Sequence, residues 1–152
     1  MKRFFKRLFL LLFVAFVAIQ FVRPDRTAPE FDRGATLEAR FAPPEGVARL
    51  LRTSCYDCHS YETRWPWYSQ IAPFSWLIGG DVVEGRAALN FSTIGTEEAE
   101  DQREYLKEAA REVKRGKMPL EIYLRMHGDA RLSEEQREEL DRWFREAAKR
   151  AR

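Results

Sequence analysis

Cys55-Tyr56-Asp57-Cys58-His59 contains both cysteines and one of the two histidines of a chain of 152 residues. Thiols two residues apart with an imidazole directly after them fit C-x-x-C-H, the motif for covalent attachment of a c-type haem. The spacing follows from the chemistry. Two thiols add across the two vinyl groups of the haem, and the next residue projects an imidazole at the iron from a backbone already held by the thioethers. In bacteria this attachment takes place outside the cytoplasm. Three rival chemistries use the same residues. A thioredoxin-like pair needs a preceding strand and a βαβ pattern, and neither is visible. A zinc site would draw on Cys55, Cys58, His127 and His59, but there is no second Cys pair and no close His pair. A plain disulfide in an exported domain is the third.

Haem is a flat apolar plate bearing two carboxylates. Trp65, Trp67, Tyr68, Phe74 and Trp76 follow the motif closely and are candidates for its walls, with ordinary core packing or docking against a bilayer as the alternatives. Arg64 is a candidate partner for a propionate, and a solvated arginine is the bland reading. If haem is bound, His59 is the expected proximal iron ligand. Opposite it, the candidates are Met118, Met126 and His127. Met118 follows Gly116-Lys117 and precedes Pro119, an arrangement that presents a thioether from a loop. A His–Met iron has a raised potential. His127 would give a bis-His iron of lower potential, and Met126 sits where core filling is expected.

The elements that must position these residues are helical. Val47, Leu50 and Leu51 mark one face of a helix that opens at Pro44-Glu45 and runs into Cys55. After Gln70 the apolar run is interrupted by Pro73 and Gly79-Gly80, and Asp81 is expected to cap a short helix to about Leu89. Thr96 is the expected cap of a helix with Leu106, Ala109, Ala110 and Val113 on one face and Gly116 as its stop. Ser133-x-x-Gln136 reads as a capping box before a closing helix from Glu134 to about Lys149, with Leu140, Trp143, Phe144 and Ala147 inward. No segment alternates with a period of two. The fold class is all-α, with short helices and long connections, and such a chain buries little core for its size.

Ahead of this lies MKRFFKR and then LFLLLFVAFVAIQFV. Residues 1–22 are expected to be an N-terminal transmembrane anchor or a signal segment, short for a span of about 20 residues unless Phe4 and Phe5 lengthen it while Lys6 and Arg7 snorkel. No A-x-A site follows, which favours an uncleaved anchor. The basic flank stays in the cytoplasm and the rest crosses, so the expected location is the inner membrane with the folded domain on the extracytoplasmic side. Residues 23–43, with prolines at 24, 29 and 43, read as a tether. Residues 44–150 are the domain. The chain has 26 basic and 24 acidic side chains and no basic stripe, which excludes nucleic acid as a partner.

The run CYDCHSYETRWPWYSQIAPFSWLIGGDVVEGRAALNFS, together with GKMPLEIYLRMHGDARLSEEQREELDRWF, resembles the bacterial haem-binding domain family with a single C-x-x-C-H motif. The similarity extends over roughly Phe41 to Phe144. Leu120 departs from it, standing where a second proline often follows Met-Pro, and so does Gly79-Gly80. The resemblance implies a small cytochrome-c-like domain with one covalently attached haem c per chain, behind a hydrophobic N-terminal segment. It implies no particular reaction. Three function classes are compatible: electron transfer with a membrane-associated or neighbouring redox partner protein, a sensor or gas binder with an open iron site, and catalysis at an open iron. Peroxide chemistry wants a distal acid–base group, and His127 is the only spare histidine, so an electron carrier is expected rather than an enzyme.

Overall fold

The computed structural model describes residues 1–151, and among them there are helices, turns and no strand. The expected all-α class holds. Eight α-helices follow in order: α1 Lys2–Ile19, α2 Leu37–Phe41, α3 Glu45–Ser54, α4 Tyr56–His59, α5 Phe74–Ala88, α6 Ala99–Lys114, α7 Glu121–Leu124 and α8 Glu134–Arg150.

The core forms where the apolar stripes of α6 and α8 meet. Leu106, Ala110 and Val113 recur at helical spacing on α6, and Leu140, Phe144 and Ala147 do so on α8; all six are buried in one cluster. Val47 and Leu51 of α3 join it. The Ser133–Gln136 capping box is present in both directions and starts α8 where expected. At the other end of α6, Gly116 takes φ +69°. There the Gly116 N–H donates to the Val113 carbonyl and the Lys117 N–H to that of Glu112, each at 3.0 Å. This left-handed cap turns the chain sharply into Met118.

Three expectations change. Helix α5 is continuous through Gly79 and Gly80, starting after Pro73 rather than at Asp81. The glycines serve close packing: a Cβ on Gly79 would lie 2.8 Å from Pro24, and one on Gly85 would lie 2.8 Å from the Cys58 carbonyl oxygen. Helix α6 begins after Glu98 rather than Thr96, whose hydroxyl is taken by the Thr93 carbonyl in a preceding turn. The segment expected to be a tether carries α2, capped by Thr36, and its Leu37 and Phe41 are buried in the core. Polar composition masked two anchoring side chains there.

The expected transmembrane helix finds no support in α1 by itself. No helix among the described residues is long and apolar enough to cross a membrane. The reason is local. Lys2, Arg3, Lys6 and Arg7 occupy the first turns of α1, leaving Leu8–Ile19 as its uncharged part, roughly 18 Å at about 1.5 Å per residue against about 30 Å of hydrocarbon. No residue of α1 is buried. Its end is nevertheless tied to the domain. The Gln20 amide exchanges hydrogen bonds with the backbone of Ala72, and the Trp76 indole N–H donates to the Val22 carbonyl at 2.7 Å.

Candidate haem site

Helix α4 is a single turn. The chain breaks from α3 at Cys55 (φ −127°, ψ −37°), and the His59 N–H closes the new turn onto the Cys55 carbonyl at 2.9 Å. Positions i, i+3 and i+4 share a helix face, so Cys55, Cys58 and His59 stand together and line one cavity of about 320 Å³. Neither thiol is bridged.

The turn is fastened from behind. His59 Nδ1 lies 3.0 Å from the Leu89 carbonyl oxygen, which can only accept, so the proton sits on Nδ1 and the lone pair of Nε2 is free to ligate. Phe91 donates its N–H to the His59 carbonyl at 2.7 Å and stacks on the imidazole with centroids 5.7 Å apart. Asp57, on the same turn, accepts from the Arg64 backbone N–H at 3.0 Å, from the Arg64 guanidinium and from the Tyr123 hydroxyl at 2.9 Å. Arg86 of α5 donates to the Ser60 carbonyl at 2.8 Å. With no Cβ at Gly85, α5 lies directly on the Cys58 backbone.

Burial dominates the electrostatics. It pushes the Cys55 thiol up to about 12 and that of Cys58 up to about 11, with the Asp81 and Asp57 charges adding to the effect at Cys58. A disulfide-exchanging pair needs a lowered thiol pKa, so these surroundings do not suit one. Burial pushes the His59 imidazole down, opposed by its backbone hydrogen bonds. A neutral imidazole is the form that binds a metal.

The other expected site residues divide. Met118 lines the same cavity as His59 and packs against the core. His127 does not line it. It lies on a second cavity with its ring stacked on Tyr123, centroids 4.0 Å apart, and Met126 is there too. Arg64 is paired with Asp57 and Trp65 lies beneath the Arg26 guanidinium at 4.7 Å, so neither reaches the His59 cavity. Trp67, Tyr68 and Phe74 line the second cavity. The walls around His59 come instead from Leu89 and Phe91 after α5, from Tyr105, Ala109 and Val113 of α6, and from Phe144 of α8. The α6 trio is legible as an i, i+4, i+8 stripe beside the core stripe. Phe91, in a turn, has no local pattern to reveal it. Among the described residues no group of three or more His, Cys, Asp or Glu side chains is placed to hold a metal ion.

The residues present suit a haem: an apolar cavity, two free thiols, an imidazole with its outer nitrogen unspent and a thioether on the same cavity. Comparison with known proteins agrees. No curated protein and no solved structure matches the chain. A family model described as the haem-binding domain matches residues 14–146, from within α1 to near the end of α8 and so across the whole of this cavity. The chain therefore belongs to the haem-binding domain family.

Proposed function

We propose that the chain carries one haem c, bound covalently through Cys55 and Cys58, with His59 as proximal and Met118 as distal iron ligand, and that it works as an electron carrier. One observation supports this above the others: both thiols and the imidazole share one helical turn, with His59 Nδ1 held by Leu89 and the Met118 thioether on the same cavity. When bound, the haem supplies a one-electron iron couple. The chain holds the imidazole in one tautomer, surrounds the ring with apolar side chains that keep water away, and brings up the thioether on a loop set by the Gly116 cap. Arg137 steadies that loop by donating to the carbonyl oxygens of Val113 and Met118, each at 3.3 Å. With both His59 and Met118 as ligands the iron would have no open position, which favours electron transfer over gas binding.

The location follows the same reading. The exposed apolar side chains of α1 are held in the inner membrane, the cations at its start stay in the cytoplasm, and the haem domain lies on the extracytoplasmic side near its redox partner. Since α1 is short, Phe21 and Val22 beyond it add apolar length and Lys6 and Arg7 snorkel. The deciding experiment is expression with the cytochrome c maturation machinery. Haem should stay with the polypeptide through denaturing electrophoresis and acid–acetone extraction, and Cys55→Ala with Cys58→Ala should abolish attachment. Haem that extracts freely from the parent protein defeats the proposal.

A further inference from the structure

The second cavity, of about 430 Å³, meets the first at Asp57, Cys58, Asp81 and Tyr123 but contains none of Cys55, His59 or Met118. Its walls are mostly apolar: Trp67, Phe74, Leu77, Ile78, Val82 and Ile122. Several are exposed at its mouth, Trp67 at 73%, Phe74 at 56% and Ile122 at 58%, which is unusual for side chains with no ligand to cover them. The volume lies within the range of small-molecule sites.

A polar pair stands inside this apolar surface. Tyr68 Oη is 3.2 Å from His127 Nε2, and His127 Nδ1 is 3.1 Å from the Tyr123 carbonyl oxygen. The carbonyl can only accept, so Nδ1 carries the ring proton and Nε2 accepts from the Tyr68 hydroxyl. The Tyr68 oxygen keeps lone pairs for a further donor, and its O–H can turn from His127 to an acceptor in the cavity.

We propose that this cavity binds a quinone-class molecule, a flat ring carrying oxygens at opposite positions and an apolar tail. Trp67 and Phe74 suit the ring faces. Tyr68 with His127 behind it can meet either state of the head group, donating to a carbonyl or accepting from a hydroxyl. The Arg64 guanidinium on this wall is already held by Asp57 at 3.2 Å, so a carboxylate head would have to use Arg125, which lines the same cavity, and the decanoic acid comparison below tests that alternative. The tail leaves across Trp67, Phe74 and Leu77. The end of apolar α1 is tied down beside them, through Gln20 to Ala72, Val22 to Trp76 and Pro24 against Gly79. A ligand from an apolar phase therefore arrives at the mouth, and once bound it lies against the Cys58 wall. Binding stands on the cavity itself and is independent of how the haem is attached.

The test is titration calorimetry of the full-length protein in dilute nonionic detergent with decylubiquinone, the haem content being measured separately as the pyridine haemochrome. Saturable one-to-one binding is expected. Tyr68→Phe should weaken it about three- to tenfold, the loss of one hydrogen bond, and Ile78→Trp should block it by filling the cavity. Decanoic acid should not compete at equal concentration. Absence of saturable binding overturns the proposal, as does undiminished binding by Tyr68→Phe. Equal binding of decanoic acid overturns it in favour of an acyl-chain site. Should Ile78→Trp misfold, the Tyr68→Phe comparison decides alone.

Discussion

Met118 and His127 competed for one role in the sequence, and they lie on different cavities. Met118→Ala is therefore expected to erase the weak far-red sulfur–iron charge-transfer band of the oxidised protein and to let carbon monoxide bind the reduced protein quickly. His127→Ala should change neither. The reverse pattern in the two optical spectra would make His127 the ligand. The thiols make a second prediction. In the haem-free folded chain burial holds Cys58 at about 11 and Cys55 at about 12, against about 8.5 for a free thiol. The unfolded chain thus releases these protons first as pH rises. The contribution of the protonated thiols to stability is complete below about pH 8.5 and declines as pH climbs toward the folded values. At pH 8, iodoacetamide should label Cys55 and Cys58 of the haem-free protein slowly, and denaturant should speed labelling at least tenfold. Equally fast labelling without denaturant would show that the pair is not buried.

Helix α5 touches α4 through Gly85, whose added Cβ would come within 2.8 Å of the Cys58 carbonyl oxygen, an immovable backbone atom. Gly85→Val should cost about 1–3 kcal/mol and reduce haem yield, because α5 can no longer lie on α4. Gly80 on the same helix has nothing within 4 Å. Gly80→Ala should leave attachment intact and raise stability by up to about 1 kcal/mol through helix propensity. Thermal unfolding and haem yield of the two variants provide the check, and equal effects would mean that helix propensity, not the contact, governs α5. At the far end of the domain, Ser133→Ala removes the cap of α8. It should cost about 1 kcal/mol, read as a lower unfolding midpoint with the haem spectrum unchanged.

For the molecule as a whole, α1 contributes no buried residue, while the segment after it is bound to α5 and the aromatic loop through Val22, Pro24 and Arg26. Deleting residues 1–19 should move the protein from the membrane fraction to the soluble fraction, provided a cleavable export signal replaces them, and its haem content and spectrum should be unchanged. Deletion through residue 31 should in addition lower stability, because those docking contacts go with it. If the shorter deletion still sediments with membranes, the exposed rim at Trp67 and Phe74 holds the protein there and α1 is not its anchor.

Some of this was settled by local sequence alone. The C-x-x-C-H spacing puts its reactive groups on one face as soon as the motif is helical, because i, i+3 and i+4 coincide on a helix. Ser133 with Gln136, and Gly116 at a left-handed cap, work through their own backbone neighbours. The N-terminal helix and the inward faces of α6 and α8 follow from spacing for the same reason. Contacts between distant segments were decided only in the folded chain. Trp65, Trp67, Tyr68 and Phe74 follow the motif closely, yet Pro66 and the turn after it lead them to Arg26 or to the second cavity. The walls at His59 come from Leu89 and Phe91, some thirty residues on, and from α6 and α8. Gly79 reads as a helix breaker because its local cost is visible in sequence, whereas the compensating approach of Pro24 exists only once the chain has packed. Leu37 and Phe41 looked like tether because two apolar side chains among polar ones signal a core only when the core is there to receive them.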